Sequence, residues 1–168
     1  KSKIAKRYLK AGIVLVILLD LFYFGLPYID VKDPKEIFVK NDVISFLEKD
    51  KSNYRVLDLT LERAVPQQLA VRYGIQELLG YDAIILKRFN EYVSTMGGFE
   101  PGVGTIIPIK DIVYPKMLDL LNVKYVVSDK SIESKDFELV FKGDFNVYVN
   151  KNFFPRAFIV HEFAIKKS

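Results

Sequence analysis

Residues 11–29 form a run of nineteen residues with a single charge, Asp20, and the ten residues ahead of it carry five cations, Lys1, Lys3, Lys6, Arg7 and Lys10. No other stretch constrains the fold as much. A helix rises about 1.5 Å per residue, so nineteen residues reach roughly 28 Å, close to the thickness of a bilayer's hydrocarbon core. Loops rich in Lys and Arg stay cytoplasmic, whereas the segment after the run mixes Asp30, Asp33 and Glu36 with Lys32 and Lys35. The run therefore predicts a transmembrane helix in the cell membrane with its amino end in the cytoplasm. Residues 1–29 would be the basic flank and span, with the lipid bilayer as partner, and residues 30–168 an extracytoplasmic domain.

Charge supports this partition. The chain is formally +4, which alone would admit a nucleic-acid binder. The first ten residues hold five of the 25 cations and Asp20 is one of the 21 acids, so residues 30–168 carry twenty of each. The basic excess belongs to membrane topology and leaves no electrostatic footprint for phosphate backbones, so nucleic acid is not an expected partner.

A cleaved signal peptide would also begin with cations and an apolar core. It would need a small-x-small cleavage site, and the run ends instead in Phe22, Tyr23, Phe24, Gly25, Leu26, Pro27 and Tyr28. Aromatics suit the headgroup level, and Pro27 suits a helix leaving the bilayer. Asp20 is the odd residue, roughly 13 Å deep by helical rise, where an isolated carboxylate costs on the order of 2.5–3.5 kcal/mol. Two readings stay open. Either Asp20 meets other transmembrane helices of a multi-pass protein, or the helix slides to bring Asp20 to the outer interface.

Beyond Asp30 the chain is long enough for one domain with a real core, and without cysteine it has neither disulfides nor thiolate metal sites. Asn41 or Asp42 can cap a short helix through Val43, Ile44, Phe46 and Leu47. Residues 54–59 read as a strand, and Pro66 opens a helical turn that Gly74 ends. Asp82 would cap a longer helix with Ile85, Phe89, Tyr92 and Val93 on one face, stopping by Gly97 and Gly98. Pro115 fits the first turn of a helix through Met117, Leu118, Leu120 and Leu121, with Asn122 in the left-handed position after it. Residues 123–128 read as a buried strand. Residues 137–142 and 145–150 form a hairpin about a tight Gly143-Asp144 turn, and residues 158–163 add one more strand. The predicted class is α+β: an N-terminal transmembrane helix, then one domain with a mixed sheet flanked by helices and a C-terminal hairpin.

Motifs for chemistry are sparse. Gly97, Gly98, Gly102 and Gly104 suggest a phosphate cradle, but Pro101 interrupts them and no helix N-terminus with Lys and Ser or Thr follows, so the stretch reads as a surface loop. His161 is the single histidine; alternation in a strand-like run places it with Ala157, Ile159 and Phe163, as a structural imidazole. No metal set, no cofactor and no catalytic residue is expected within this chain.

Six segments in order carry a resemblance: "DLFYFG" at 20–25, "YRVL" at 54–57, "YGIQELLGYDAIILKRFNEY" at 73–92, "LLNVKYVVS" at 120–128, "VYVN" at 147–150 and "PRAFIV" at 155–160. Together they resemble the C-terminal region of YfhO-type bacterial membrane proteins. The resemblance implies a large multi-pass parent related to glycosyltransferases that use polyprenyl-phosphate sugars, with members linked to glycosylation of cell-envelope polymers. It also implies a catalytic carboxylate in an early extracytoplasmic loop, which nothing in this chain matches. On that reading the domain is an accessory, substrate-access part of the parent, whose other transmembrane helices are partners, together with an envelope glycan or polyprenyl-phosphate sugar. Candidate sugar contacts around the densest part of the resemblance are Arg72, Tyr73, Tyr81, Asp82, Arg88 and Tyr92, because aromatic faces stack on pyranose rings and Arg binds phosphate or carboxylate bidentately. Each also has a structural role open to it: Tyr81 and Tyr92 in packing, Asp82 as a cap, Arg88 in a pair with Glu91 or Glu77. A membrane-tethered interaction module unrelated to glycosyl transfer is the alternative, and an independent enzyme would need a convergent polar pocket.

Overall fold

The computed structural model describes residues 2–29, 31–60, 63–80, 84–102, 107, 109–162 and 164. Its contacts divide the chain into two compact units, Lys1–Val39 and Lys40–Ser168.

The first unit is dominated by α1, Ser2–Gly25. Every large apolar side chain from Ile13 to Phe24 is exposed, and so is Asp20. A helix apolar on all sides has no face with which to distinguish core from water, which is the property of a membrane span or a signal sequence. A 3-10 turn, Leu26–Tyr28, holds Pro27. The short helix α2, Pro34–Ile37, starts where Asp33 accepts the Lys35 N–H at 2.8 Å.

The second unit is an α+β domain. Its helix α3, Asp42–Leu47, is capped by Asn41, whose Oδ1 accepts the Ile44 N–H at 2.8 Å while its Nδ2 donates to the Ala64 carbonyl at 2.6 Å. Strand β1 is Arg55–Asp58, followed by α4, Gln67–Arg72, which Gly74 ends at φ +69°. Helix α5, Lys87–Gly97, closes on left-handed Gly98, where a Cβ would stand 2.6 Å from Val113 Cγ2. Then come α6, Lys116–Asp119, left-handed Asn122 at φ +59°, and the strands β2, Val123–Ser128, β3, Phe137–Phe141, and β4, Asn146–Asn150.

The sheet order is β1-β2-β4-β3, with β1 and β2 parallel and the other pairs antiparallel. Central β2 is covered on both faces. On one, Tyr125 meets Phe46 of α3 and Tyr54 edge to face; on the other, Val126 joins Leu57, Val93, Met96 and Leu118 in the main core. The outer edge of β1 is covered by residues 76–78: the Val56 N–H donates to the Gln76 carbonyl and the Leu78 N–H to the Val56 carbonyl, each at 2.8 Å. That single parallel bridge fixes Glu77 against β1.

A charged lock ties the α3 side to β2. Lys124 Nζ donates to Asp50 Oδ2 at 2.5 Å, and the Tyr125 hydroxyl donates to the same oxygen at 2.9 Å. Burial raises the Asp50 carboxyl, but donors from Lys124, Ser52 and Tyr125 outweigh it and hold the group well below the usual carboxylate range. A depressed carboxyl stabilises the fold above its unfolded value of about 3.9, and that stability is lost as pH falls below it. Asp50→Asn is expected to cost about 1–3 kcal/mol at pH 7 and to flatten the acid limb of the stability curve below about pH 4, as read by urea unfolding.

Three expectations are corrected. Residues 158–160 join no ladder, and Phe158, Ile159 and Val160 are 47%, 81% and 59% exposed, so the run has no apolar surface to bury a strand face against; Phe163 lies outside the described residues. Helix α5 begins at Lys87, after extended Leu86, with Ile85 packed on the core from the preceding segment; Asp82 lies outside the described residues. The β3–β4 connection spans residues 142–145, and Gly143 keeps an ordinary backbone, so the hairpin carries a wider loop and a register irregularity between Leu139 and Phe141.

Candidate functional site at the carboxyl ends of the parallel strands

Parallel strands place their carboxyl ends side by side, and crevices beyond such ends are where open sheets with helices receive ligands. Here those ends are Asp58 and Ser128. The loop after β1 winds around Asp58: Oδ1 accepts the Thr60 N–H at 2.9 Å and the Thr60 hydroxyl at 2.6 Å, and Oδ2 accepts the Val65 N–H at 2.8 Å. Thr60 Oγ1 accepts the Ala64 N–H at 2.7 Å. This winding leaves Arg63 at φ +50°, a left-handed backbone that a residue with a Cβ adopts at some cost.

Beside the loop is a cavity of about 180 Å³ lined by Asp58, Thr60, Arg63, Glu77 and Lys110 among others. Glu77 Oε1 is buried there and has no hydrogen-bond partner among the described residues. Burial first and the neighbouring Asp58 charge second push its carboxyl up to about 7, against an opposing pull from Arg63. A carboxyl in that range both donates and accepts at neutral pH, the property needed for hydrogen bonding to hydroxyls or for proton transfer. A larger cavity of about 490 Å³ shares Leu59 and Lys110 with the first and adds Ser128, Lys130, Ser131 and Ser134. The two lie side by side at the strand ends as a cleft lined by polar and apolar groups together, and the larger has room for a small organic ligand. Among the described residues no group of His, Asp and Glu has the arrangement of a metal site.

The residues anticipated from sequence lie elsewhere. Arg72 is exposed at the end of α4, and next to it the half-buried Tyr73 has the Lys40 ammonium 4.3 Å from its ring centroid. Arg88 is exposed on α5, where Glu91 meets Lys87 at 3.7 Å rather than Arg88. The Tyr92 hydroxyl donates to the Met117 carbonyl at 2.8 Å, and its ring packs on the core. None of these four lines either cavity of the cleft. Tyr81 and Asp82 lie outside the described residues. His161 is exposed beyond the last strand. The groups that sequence reasoning did not single out are Asp58, Thr60, Arg63, Glu77 and Lys110. One signal was present: Glu77 sits between the buried apolar positions Ile75 and Leu78, an unusual place for an acid.

Comparison with protein-family models, with curated proteins and with solved structures gave no match to this chain.

Proposed function

We propose that this chain is the extracytoplasmic accessory domain of a multi-pass membrane protein of the YfhO type, and that its cleft admits the hydroxyl-rich acceptor of a glycosyl transfer whose catalytic carboxylate lies elsewhere in that protein. One observation carries the reading. Helix α1 exposes apolar side chains on every side and holds one acid, Asp20, among them. An isolated anchor seldom bears a mid-membrane carboxylate, whereas a helix in a bundle can pair it with a neighbour. The ordered resemblance of six segments supports the family, and the Glu77 cleft supports recognition of hydroxyls, since its carboxyl offers both a donor and an acceptor.

The gene tests the architecture. About ten or more apolar segments upstream in the open reading frame are expected, and a frame encoding only one or two spans would overturn the proposal. Asp20→Leu tests the bundle. In the full-length protein it is expected to lower assembly or activity several-fold, while in the present chain alone it should improve membrane insertion. Full-length protein indifferent to the change would remove the basis for a bundle partner.

A further inference from the structure

At the opposite end of β1 from the cleft, two guanidinium groups share one patch, with no acid hydrogen-bonded to either among the described residues. Arg55 opens β1, and its Nη1 donates to the Leu121 carbonyl at 3.1 Å. Arg156, in the tail after β4, donates through Nε to Oδ1 of the very next residue, Asn122, at 3.2 Å. Its Nη2 donates to Asn53 Oδ1 at 3.4 Å and to Gln76 Oε1. Consecutive anchors thus hold two like charges together. Burial first and Arg156 second push the Arg55 guanidinium down from its ordinary value.

Every one of these partners is a neutral carbonyl or amide. The nearby acids are committed elsewhere, Asp50 to Lys124 and Asp119 to the Asn150 amide. A guanidinium carries five N–H donors, so six of the ten in this pair have no protein acceptor among the described residues. Asn53 and Gln76 turn their amide oxygens toward Arg156, which leaves their NH₂ groups as further donors. Pinning the tail requires only Nε and Nη2 of Arg156. It does not account for the partly buried Arg55 beside exposed Arg156, or for a second positive charge with no acid as its hydrogen-bond partner among the described residues.

We infer that Arg55 and Arg156, with Asn53 and Gln76 as supporting donors, form a binding site for a phosphate monoester dianion. Among the described residues Arg55 keeps its Nε and Nη2 edge without an acceptor, able to meet phosphate oxygens bidentately, Arg156 adds its Nη1 hydrogens, and a dianion balances both charges where a single carboxylate would balance one. The site is independent of the cleft and of the function proposed for it.

Isothermal titration of the full chain in detergent micelles with inorganic phosphate, and with acetate as the comparison anion, tests the assignment. Phosphate should bind at least about tenfold more tightly than acetate, and Arg156→Gln and Arg55→Gln should each weaken it about tenfold or more. Arg156→Lys, which keeps the charge and loses the fork, should retain part of the affinity, and Asn53→Ala, at an exposed position, gives a second variant should an arginine change disturb folding. Competition with phosphatidylcholine vesicles containing phosphatidic acid identifies the source: displacement of phosphate marks a lipid headgroup, and its absence a soluble phosphate monoester. Absence of phosphate binding in the unsubstituted chain, equal binding of acetate, or phosphate affinity that survives the double Gln substitution would each overturn the site.

Discussion

Leu57→Ala should lower the unfolding free energy of the α+β unit by about 2–5 kcal/mol, measured by urea unfolding followed by circular dichroism, with the denaturant slope unchanged. Leu57 is fully buried at the middle of β1, in one cluster with Val93, Met96, Leu118 and Val126. Truncation there removes transfer free energy and leaves a cavity that a strand fixed on one side by β2 and on the other by residues 76–78 cannot close. A domain's whole stability is about 5–15 kcal/mol, so the loss is a large part of it. Leu139→Ala, at a position 46% exposed on β3, should change stability by about 0.5 kcal/mol or less. Equal effects at the two positions would contradict the assignment of the core.

The second large effect is a dependence on pH. The Glu77 carboxyl lies near 4.5 in the unfolded chain and about 7 in the folded one, so the native state holds its proton more tightly. Such a group supports the fold fully below about pH 4.5, and its contribution is lost as pH rises through about 7. The gap corresponds to at most about 3 kcal/mol, and roughly half of that once access of water through the cleft is allowed for. Glu77→Gln keeps the shape and removes the charge, so it should leave stability at pH 5 within about 0.5 kcal/mol and raise it by about 1–2 kcal/mol at pH 8. Unfolding curves at the two pH values decide the matter. A parent chain equally stable at both would show that Glu77 does not titrate in this window. The Asp50 effect runs the other way and falls below pH 4, so the two are separable in one titration.

Legibility in the sequence followed how local each determinant was. Asn41 as a cap, Gly74 and Gly98 as left-handed stops, and Asn122 past α6 were all readable because each device acts within a turn of its own position. Strand β2 was readable because a short β-favouring run with five of its six residues buried, over both faces, admits little else. The run at residues 158–160 misled because alternation describes a strand's faces but does not supply a core for one of them to pack on, and these side chains stay exposed. The start of α5 misled because Ile85 reaches the core from extended chain as well as from a helix. The cleft was the least legible part. Asp58, Glu77 and Lys110 are separated by nineteen and 33 residues, and Glu77 reaches the cleft through the bridge of residues 76–78 to β1, a pairing two hydrogen bonds long that leaves no periodic trace. Resemblance drew the candidates toward Arg72, Tyr73, Arg88 and Tyr92, which share a stretch of sequence but not the cleft.

The parallel pairing of Arg55 with Val123 has a consequence for how the domain is made. These partners stand 68 residues apart in the chain, whereas β3 and β4 are joined by four residues. At synthesis rates of about 5–20 residues per second, β1 exists for roughly 3–14 s before its neighbour has been made. The hairpin can close within microseconds of its own completion, but β2, which meets an already synthesised β1, has its other flank without β4 until the last quarter of the chain emerges. The first strand to be synthesised waits the longest for its place, and over that interval an apolar segment centred on Val56 and Leu57 is exposed to whatever chaperone or neighbouring chain is nearest.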